Sequence, residues 1–201
     1  MKLYLKPGAC SLASHIVLRE AGLPFDPVKV DLATKKTGDG GDFLAVNPKG
    51  QVPTLGLDEG GILTEGPVIL QYVADKAPAK GLVPAHGSLE RYRVLEWLNF
   101  VGTELHKNFS PLFRPTTPDA FKATLKELLA AKFGVLDARL ADNRFLAGDS
   151  FTIADAYAFT VLRWAAPMGL DLARWPNVAA YVARVGERPA VREALAAEGI
   201  G

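Results

Sequence analysis

The chain has 201 residues and a formal net charge of +1, from 23 lysines and arginines against 22 aspartates and glutamates. This balance leaves no surplus of positive charge for a phosphate backbone, which excludes nucleic acid as a principal partner. Hydrophobic residues make up 49% and charged residues 22%, which excludes disordered, collagen-like and coiled-coil classes. A globular chain of this length buries roughly 70% of its unfolded surface and forms one large domain or two small ones.

No segment of the sequence predicts export or insertion into a membrane. The most apolar helical stretch, residues 154–170, is interrupted by Asp155 and Arg163, and the first six residues include two lysines. Cys10 is the only cysteine, so thiol chemistry requires a second thiol from another molecule. We therefore predict a cytoplasmic protein without an internal disulfide.

The first eighty residues alternate short strands with helices, which is typical of an α/β unit. We predict strands at 3–5, 27–32, 54–57 and 62–64, and helices at 11–21, 43–46 and 66–75. Gly22 stands where a left-handed cap would end the first helix. Residues 58–61 join the last two strands as a hairpin.

Residues 77–81 form a linker by composition, and every element predicted after them is a helix. These helices cover residues 89–107, 119–140, a segment starting within 149–155, 175–185 and 189–197. Thr152 and Asp155 have the spacing of a reciprocal helix cap. The predicted fold is α/β plus all-α, with one domain at residues 1–80 and an all-helical domain at residues 87–201.

Cys10 follows the first predicted strand and lies at the N-terminus of the first helix. Unpaired N–H groups and the helix dipole favour a thiolate there, which makes the sulfur a nucleophile. A lone cysteine is also commonly a small buried hydrophobe, so its position leaves both interpretations open. Ala13 stands where a C-x-x-C motif has its resolving cysteine, so redox chemistry would pass through a mixed disulfide with an external thiol.

Two further segments have features of a peptide-binding site. A cis bond before Pro53 would leave the Val52 backbone open to a peptide-like ligand, although a trans proline at a strand start is commoner. Glu65 and Gly66 open the third predicted helix, where backbone N–H groups suit a carboxylate and Glu65 suits an ammonium group. Alternatively, Glu65 only complements the helix dipole.

A polar stripe on the long predicted helix contains Asn99, Thr103 and His106. Such stripes usually face solvent, yet His106 has the chemistry of a general base or a hydrogen-bond donor. His15 and His86 lack the spacing of metal ligands, so the sequence predicts no metal site.

These pieces, in this order, resemble the glutathione S-transferase family and specifically its bacterial beta class. The resemblance covers the whole chain and is carried by residues 7–12, 47–53, 63–66, 99–106 and 151–155. It implies a thioredoxin-like N-terminal domain followed by an all-helical domain, in a homodimer. It also implies glutathione as co-substrate, no tightly bound cofactor, and an apolar electrophile in the cleft against the helical domain.

The resemblance also implies roles for single residues. Cys10 and His106 would be the catalytic candidates, with Cys10 against the glutathione sulfur. Val52, presented by a cis proline, would pair with the cysteinyl backbone, Glu65 would hold the γ-glutamyl end, and Lys35 would reach the glycyl carboxylate. The implied glutathione contacts are Cys10, Lys35, Val52, Pro53, Glu65, Gly66, Asn99, Thr103, Glu104, Leu105 and His106.

One departure from the class concerns binding strength. Position 66 usually carries a serine, and Gly66 keeps the backbone donor but lacks the hydroxyl. A hydrogen bond to a charged group is worth roughly 1.5–3 kcal/mol, so glutathione binding would weaken by about one to two powers of ten.

Two alternatives to conjugation stay open at the level of the sequence. One is a glutathione-dependent thiol–disulfide reductase or peroxidase, and the other is a non-catalytic binder of apolar compounds. The pocket candidates Phe109, Leu112, Phe113 and Trp164 indicate only that a substrate has an apolar part.

Overall fold

The computed structural model describes all residues from Met1 to Gly201. They form two compact units, the first made of residues 1–83 and 188–201 and the second of residues 84–187. The longest helix has 23 residues, and none of the helices combines the length and the apolar character that a membrane crossing requires.

The first unit is built on a five-stranded sheet with strand order β3-β2-β1-β4-β5. The strands are β1 (Lys2–Leu5), β2 (Asp26–Asp31), β3 (Lys36–Thr37), β4 (Thr54–Gly56) and β5 (Ile62–Thr64). β1 and β2 run parallel, and the other pairs are antiparallel. Leu3 pairs with Leu55 in the β1–β4 register, and both are completely buried, as strand alternation requires for one face of the sheet.

Nine α-helices follow the predicted order along the chain. They are α1 (Ser11–Ala21), α2 (Phe43–Val46), α3 (Gly66–Lys76), α4 (Leu89–Phe100), α5 (Lys107–Phe109), α6 (Asp119–Ala141), α7 (Ile153–Leu162), α8 (Pro176–Gly186) and α9 (Pro189–Glu198). The cap predicted at Gly22 is confirmed, since its φ is 68° and its N–H bonds to the carbonyls of Arg19 and Leu18. The mixed sheet and the following helices confirm the predicted fold class.

The second unit is entirely helical around α7, whose ten residues are all buried. The reciprocal cap predicted at its start is confirmed, because the Asp155 carboxylate accepts the Thr152 N–H at 2.8 Å and the Thr152 side chain caps the helix in return. Asp155 also accepts the Leu146 N–H at 2.9 Å. This buried carboxylate therefore fixes both the start of α7 and the loop before it.

The long helix predicted at 89–107 is not continuous. It ends as an α-helix at Phe100 and continues as a π-helix, Val101–His106, before α5. Side chains bond to backbone carbonyls four residues earlier in this stretch: Thr103 Oγ1 donates to Asn99 at 3.1 Å, and Asn108 Nδ2 donates to Glu104 at 2.7 Å. Such bonds compete with the backbone ladder and accompany the change of helix type.

The C-terminal segment belongs to the first unit by its packing. α9 packs on α1, where Arg188 holds Glu20 with two hydrogen bonds of 2.6 and 2.9 Å and His15 meets Glu198 at 2.9 Å. The compact units thus differ from the predicted domains, 1–80 and 87–201, in the place of this last helix. The difference arises from side-chain pairs that lie far apart in the sequence.

Candidate functional site

Cys10 lies half-buried immediately before α1. Its side chain does not cap the helix; instead, the thiol donates to the carbonyl oxygen of Val52 with an Sγ–O distance of 3.2 Å. The N–H groups of Leu12 and Ala13 bond back to the carbonyls of Ala9 and Cys10. A carbonyl oxygen accepts only from the protonated thiol, so in this conformation the sulfur is held as a thiol beside Val52.

The Val52–Pro53 peptide bond is cis. Val52 is 8% exposed, and neither its N–H nor its carbonyl pairs with another backbone group. The segment implied to bind the cysteinyl backbone therefore keeps its backbone groups outside the ladder of the sheet. Backbone groups that lie outside the sheet ladder at such a position suit pairing with an extended peptide.

The loop before Val52 is held from inside by Asn47. This side chain is 1% exposed; its Nδ2 donates to the Gln51 carbonyl at 3.0 Å and to Thr54 Oγ1 at 2.8 Å. Its Oδ1 accepts the Lys49 N–H at 3.1 Å. Since these bonds are local and buried, the backbone of the loop is fixed without a ligand.

Lys35 lies against the same loop. It has a left-handed backbone, with φ of 58°, and its Nζ donates to the Gly50 carbonyl at 2.9 Å. A left-handed conformation is uncommon for residues other than glycine and persists where surrounding contacts hold it. The lysine predicted for the glycyl carboxylate is thus anchored beside the Val52 loop.

Glu65 and Gly66 stand at the start of α3. Glu65 has φ of 67°, and its Oε1 lies 2.8 Å from Lys49 Nζ, which also donates to Thr64 Oγ1 at 3.0 Å. A Cβ placed on Gly66 would meet Pro53 Cγ at 3.8 Å, an ordinary contact. The sequence prediction missed Lys49, although a cation in the tight Asn47–Gln51 loop was the available signal.

The remaining predicted residues lie in the second unit, at the end of α4 and in the π-helix. Asn99 and Thr103 are exposed, and Glu104 pairs with Lys132 at 2.7 Å. Leu105 is completely buried, so the predicted contact with glutathione finds no exposed surface on this residue. A leucine at this helical spacing belongs to the core.

His106 is enclosed by aromatic rings. Its Nδ1 lies 2.5 Å from the hydroxyl of Tyr157, and its ring meets the edges of Tyr157 and Trp164, with a centroid distance of 5.1 Å to Trp164. Burial, and secondarily the charge of Lys107, lowers the pKa of His106 from 6.5 to about 4. The imidazole is therefore neutral near pH 7 and offers one donor and one acceptor.

Some of the apolar residues predicted for the pocket belong to the aromatic cluster around His106. Trp164 packs edge-on against Phe109 and Phe113 at centroid distances of 5.8 and 5.3 Å. Phe109 is completely buried, whereas Phe113 is 48% exposed. Tyr157, which the sequence prediction missed, has no local signal because it lies 51 residues from His106.

The predicted residues fall into two sets, each within its own unit. The first unit brings together Cys10, Lys35, the Val52–Pro53 bond, Glu65 and Gly66 around the loop 47–51. The second unit brings His106 into an aromatic cluster and leaves Asn99 and Thr103 on its surface.

Comparison with known proteins gives a consistent result over the whole chain. Residues 8–76 match the family profile "Glutathione S-transferase, N-terminal domain", and residues 100–189 match "Glutathione S-transferase, C-terminal domain". "Glutathione S-transferase GstA" of Escherichia coli O157:H7 is 52% identical over 100% of both chains.

Two solved structures have the same fold at similar identity. "Ternary complex of BphK, a bacterial GST" superposes with a TM-score of 0.97 at 54% identity, covering 99% of this chain and 100% of that one. A sphingomonad glutathione S-transferase complexed with glutathione superposes with a TM-score of 0.97 at 52% identity, covering 100% of both chains.

Proposed function

This chain belongs to the glutathione S-transferase family and is a glutathione transferase. We propose that its second substrate is an apolar electrophile and that Cys10 takes part in the thiol chemistry. The observation that carries the proposal is the 3.2 Å contact between Cys10 Sγ and the Val52 carbonyl. A tripeptide paired with the Val52 backbone through its cysteinyl unit would bring its own sulfur next to Cys10.

The groups around this contact match the two charged ends of glutathione. The Glu65 carboxylate suits the γ-glutamyl ammonium, and the Gly66 N–H at the start of α3 suits the γ-glutamyl α-carboxylate. Lys35, anchored on the Gly50 carbonyl, suits the glycyl carboxylate. The peptide backbone, the two ends and the thiol each have a counterpart within the first unit.

Conjugation requires the glutathione thiol to lose its proton and its sulfur to form a bond to an electrophilic carbon. A displaced leaving group takes the electron pair of the broken bond, and in an addition the adduct takes up a proton instead. His106 is the second catalytic candidate, because its lowered pKa of about 4 keeps the imidazole neutral near pH 7, where it can donate or accept a hydrogen bond at the reacting thiol. The Asn99 amide, the Thr103 hydroxyl and the Glu104 carboxylate are the remaining candidates for polar contacts.

The role of Cys10 is tested by intact mass after incubation with oxidised glutathione. The Cys10 thiol first loses its proton to solvent; the thiolate then attacks one sulfur of the disulfide, forms a mixed disulfide and releases the other glutathione as a thiolate, which takes up a proton. We expect one adduct on the wild-type protein and none on Cys10→Ala, with both proteins retained on immobilised glutathione. Retention without an adduct would leave Cys10 as a contact only, and loss of retention by the wild type would overturn glutathione binding itself.

Disulfide exchange is the second candidate function, favoured by the chemistry of the first helix. Cys10 is the only thiol, and position 13 is a buried alanine, so exchange must be resolved by a second glutathione. Rates on a glutathionylated substrate and on a chlorinated aromatic compound separate the two functions.

We also propose a cytoplasmic location, because glutathione keeps thiols reduced in the cytoplasm.

We also propose a homodimer, supported by apolar side chains that α6 leaves exposed. Phe121, Leu128 and Val135 are 50%, 44% and 48% exposed, and their seven-residue spacing puts them on one face of the helix. Exposed apolar faces of this kind mark protein interfaces. Sedimentation of the wild type as a dimer and of Leu128→Glu as a monomer would support this assembly, and a monomeric wild type would overturn it.

A further inference from the structure

Lys49 forms an ion pair at the position proposed for the γ-glutamyl end of glutathione. Its Nζ lies 2.8 Å from Glu65 Oε1 and 3.0 Å from Thr64 Oγ1. The Lys49 and Glu65 side chains are 53% and 62% exposed. An ion pair this exposed contributes about 0–1 kcal/mol to folding, so it can exchange partners with a ligand at little cost.

The backbone that carries Lys49 is held in place. The Lys49 N–H donates to Asn47 Oδ1 at 3.1 Å, and the Gly50 N–H donates to the Asn47 carbonyl at 2.8 Å. On the other side, Lys35 Nζ donates to the Gly50 carbonyl at 2.9 Å. The ammonium group is therefore presented from a fixed base, and only the side chain of Lys49 needs to move.

An α-amino-acid group carries its ammonium and its carboxylate on the same carbon. If the Glu65 side chain binds the ligand's ammonium group, the ligand's α-carboxylate must also lie close to Glu65. The positive groups there are the Lys49 ammonium and the backbone N–H at the start of α3. The negative charge of Glu65 thus matches the ligand's ammonium group, and the positive charge of Lys49 matches its α-carboxylate.

We propose that Lys49 is a specificity-determining residue that binds the α-carboxylate of the γ-glutamyl residue. On binding, the ligand ammonium joins Glu65 and the ligand α-carboxylate takes over the Lys49 ammonium. Gly66 makes this contact more important, because the hydroxyl of a serine at that position is absent and Lys49 is the charged side chain at hand. The inference rests on the proposed placement of glutathione and selects ligands with an intact α-amino-acid group.

The test compares variants and ligands in a crossed design, with dissociation constants measured calorimetrically under reducing conditions. The variants are Lys49→Met, which keeps the length of the side chain, Lys49→Arg, which keeps its charge, and Lys76→Met as a control. Lys76 is an exposed lysine at the opposite end of α3 from Glu65. The ligands are glutathione and 4-aminobutanoyl-Cys-Gly, which has hydrogen in place of the α-carboxylate.

We expect Lys49→Met to weaken glutathione binding about tenfold and to change binding of the analogue by less than about twofold. Lys49→Arg should restore most of the affinity, and Lys76→Met should behave as the wild type. Equal weakening for both ligands, no change for either, or tighter binding by Lys49→Met would overturn the assignment. If the wild type binds neither ligand, the proposed glutathione site fails, and the inference fails with it.

Discussion

Two glutamates of the first unit form polar contacts of opposite character. Glu198 has a side chain only 1% exposed, accepts the Gly8 N–H at 2.9 Å, and meets His15 Nδ1 at 2.9 Å. Glu65 is 62% exposed and pairs with Lys49. The buried glutamate lies under the segment that leads to Cys10, whereas the exposed one stands at the start of α3.

The donors around Glu198 show why it belongs to the folded framework. Arg19 Nε donates to His15 Nε2 at 3.0 Å, so this nitrogen accepts, and Nδ1 carries the proton that is donated to Glu198. Removing a buried acceptor leaves its donors unmet, which is costly, whereas water replaces a lost partner on the surface. Burial, more than the type of residue, separates a framework carboxylate from one available to a ligand.

The largest expected effect is the loss of the buried carboxylate. Glu198→Ala should lower the free energy of unfolding by about 3–5 kcal/mol, because the donors of His15 and Gly8 lose their acceptor. Glu193→Ala is the matched control on the same helix, since Glu193 is 62% exposed and pairs with Arg19 at 3.1 Å. The control should cost less than about 1 kcal/mol in denaturant unfolding. Equal losses of stability for the two variants would show that burial does not distinguish the two carboxylates.

Half-buried His106 gives the next effect, through pH. Its pKa of about 4 in the folded protein lies below the ordinary 6.5, so the unfolded chain binds the proton more readily. The contribution of neutral His106 to the free energy of unfolding is therefore fully present above pH 6.5. It is lost as the pH falls towards 4, by about 3 kcal/mol in total.

Denaturant unfolding between pH 7 and 4 measures this loss, and NMR titration of the His106 ring measures its pKa directly. His106→Gln should remove this part of the pH dependence. A ring that titrates near 6.5 would show that the aromatic cluster does not exclude water.

The elements of the first unit were predicted well because the positions proposed for its site carry local signals. Proline at 53 restricts its own backbone, glycine at 22 permits the left-handed cap of α1, and residues 65–67 mark the start of α3, each within a few residues. The second unit was predicted less completely, since the apolar stripe of the long helix contains no sign of a π-helix at Val101–His106. Contacts such as His106 with Tyr157 and His15 with Glu198 depend on tertiary packing, and spacing along the chain does not encode them.

The smallest expected effect concerns the exposed end of α3 and tests whether it binds a ligand. Gly66 has room for a side chain, since a Cβ there meets Pro53 Cγ at 3.8 Å. Gly66→Ser should tighten glutathione binding about tenfold by adding a hydroxyl donor for the α-carboxylate, and Gly66→Ala should not.

Alanine is the matched control because it adds the Cβ and restricts the unfolded chain without supplying a donor. If Gly66→Ala tightens binding as much as Gly66→Ser, the gain comes from ordering the start of α3 and not from the hydroxyl. If Gly66→Ser also reduces the effect of Lys49→Met, both side chains bind the same α-carboxylate of the ligand. Exposed Glu65 is then part of a ligand site, a role that its burial denies to Glu198 on α9.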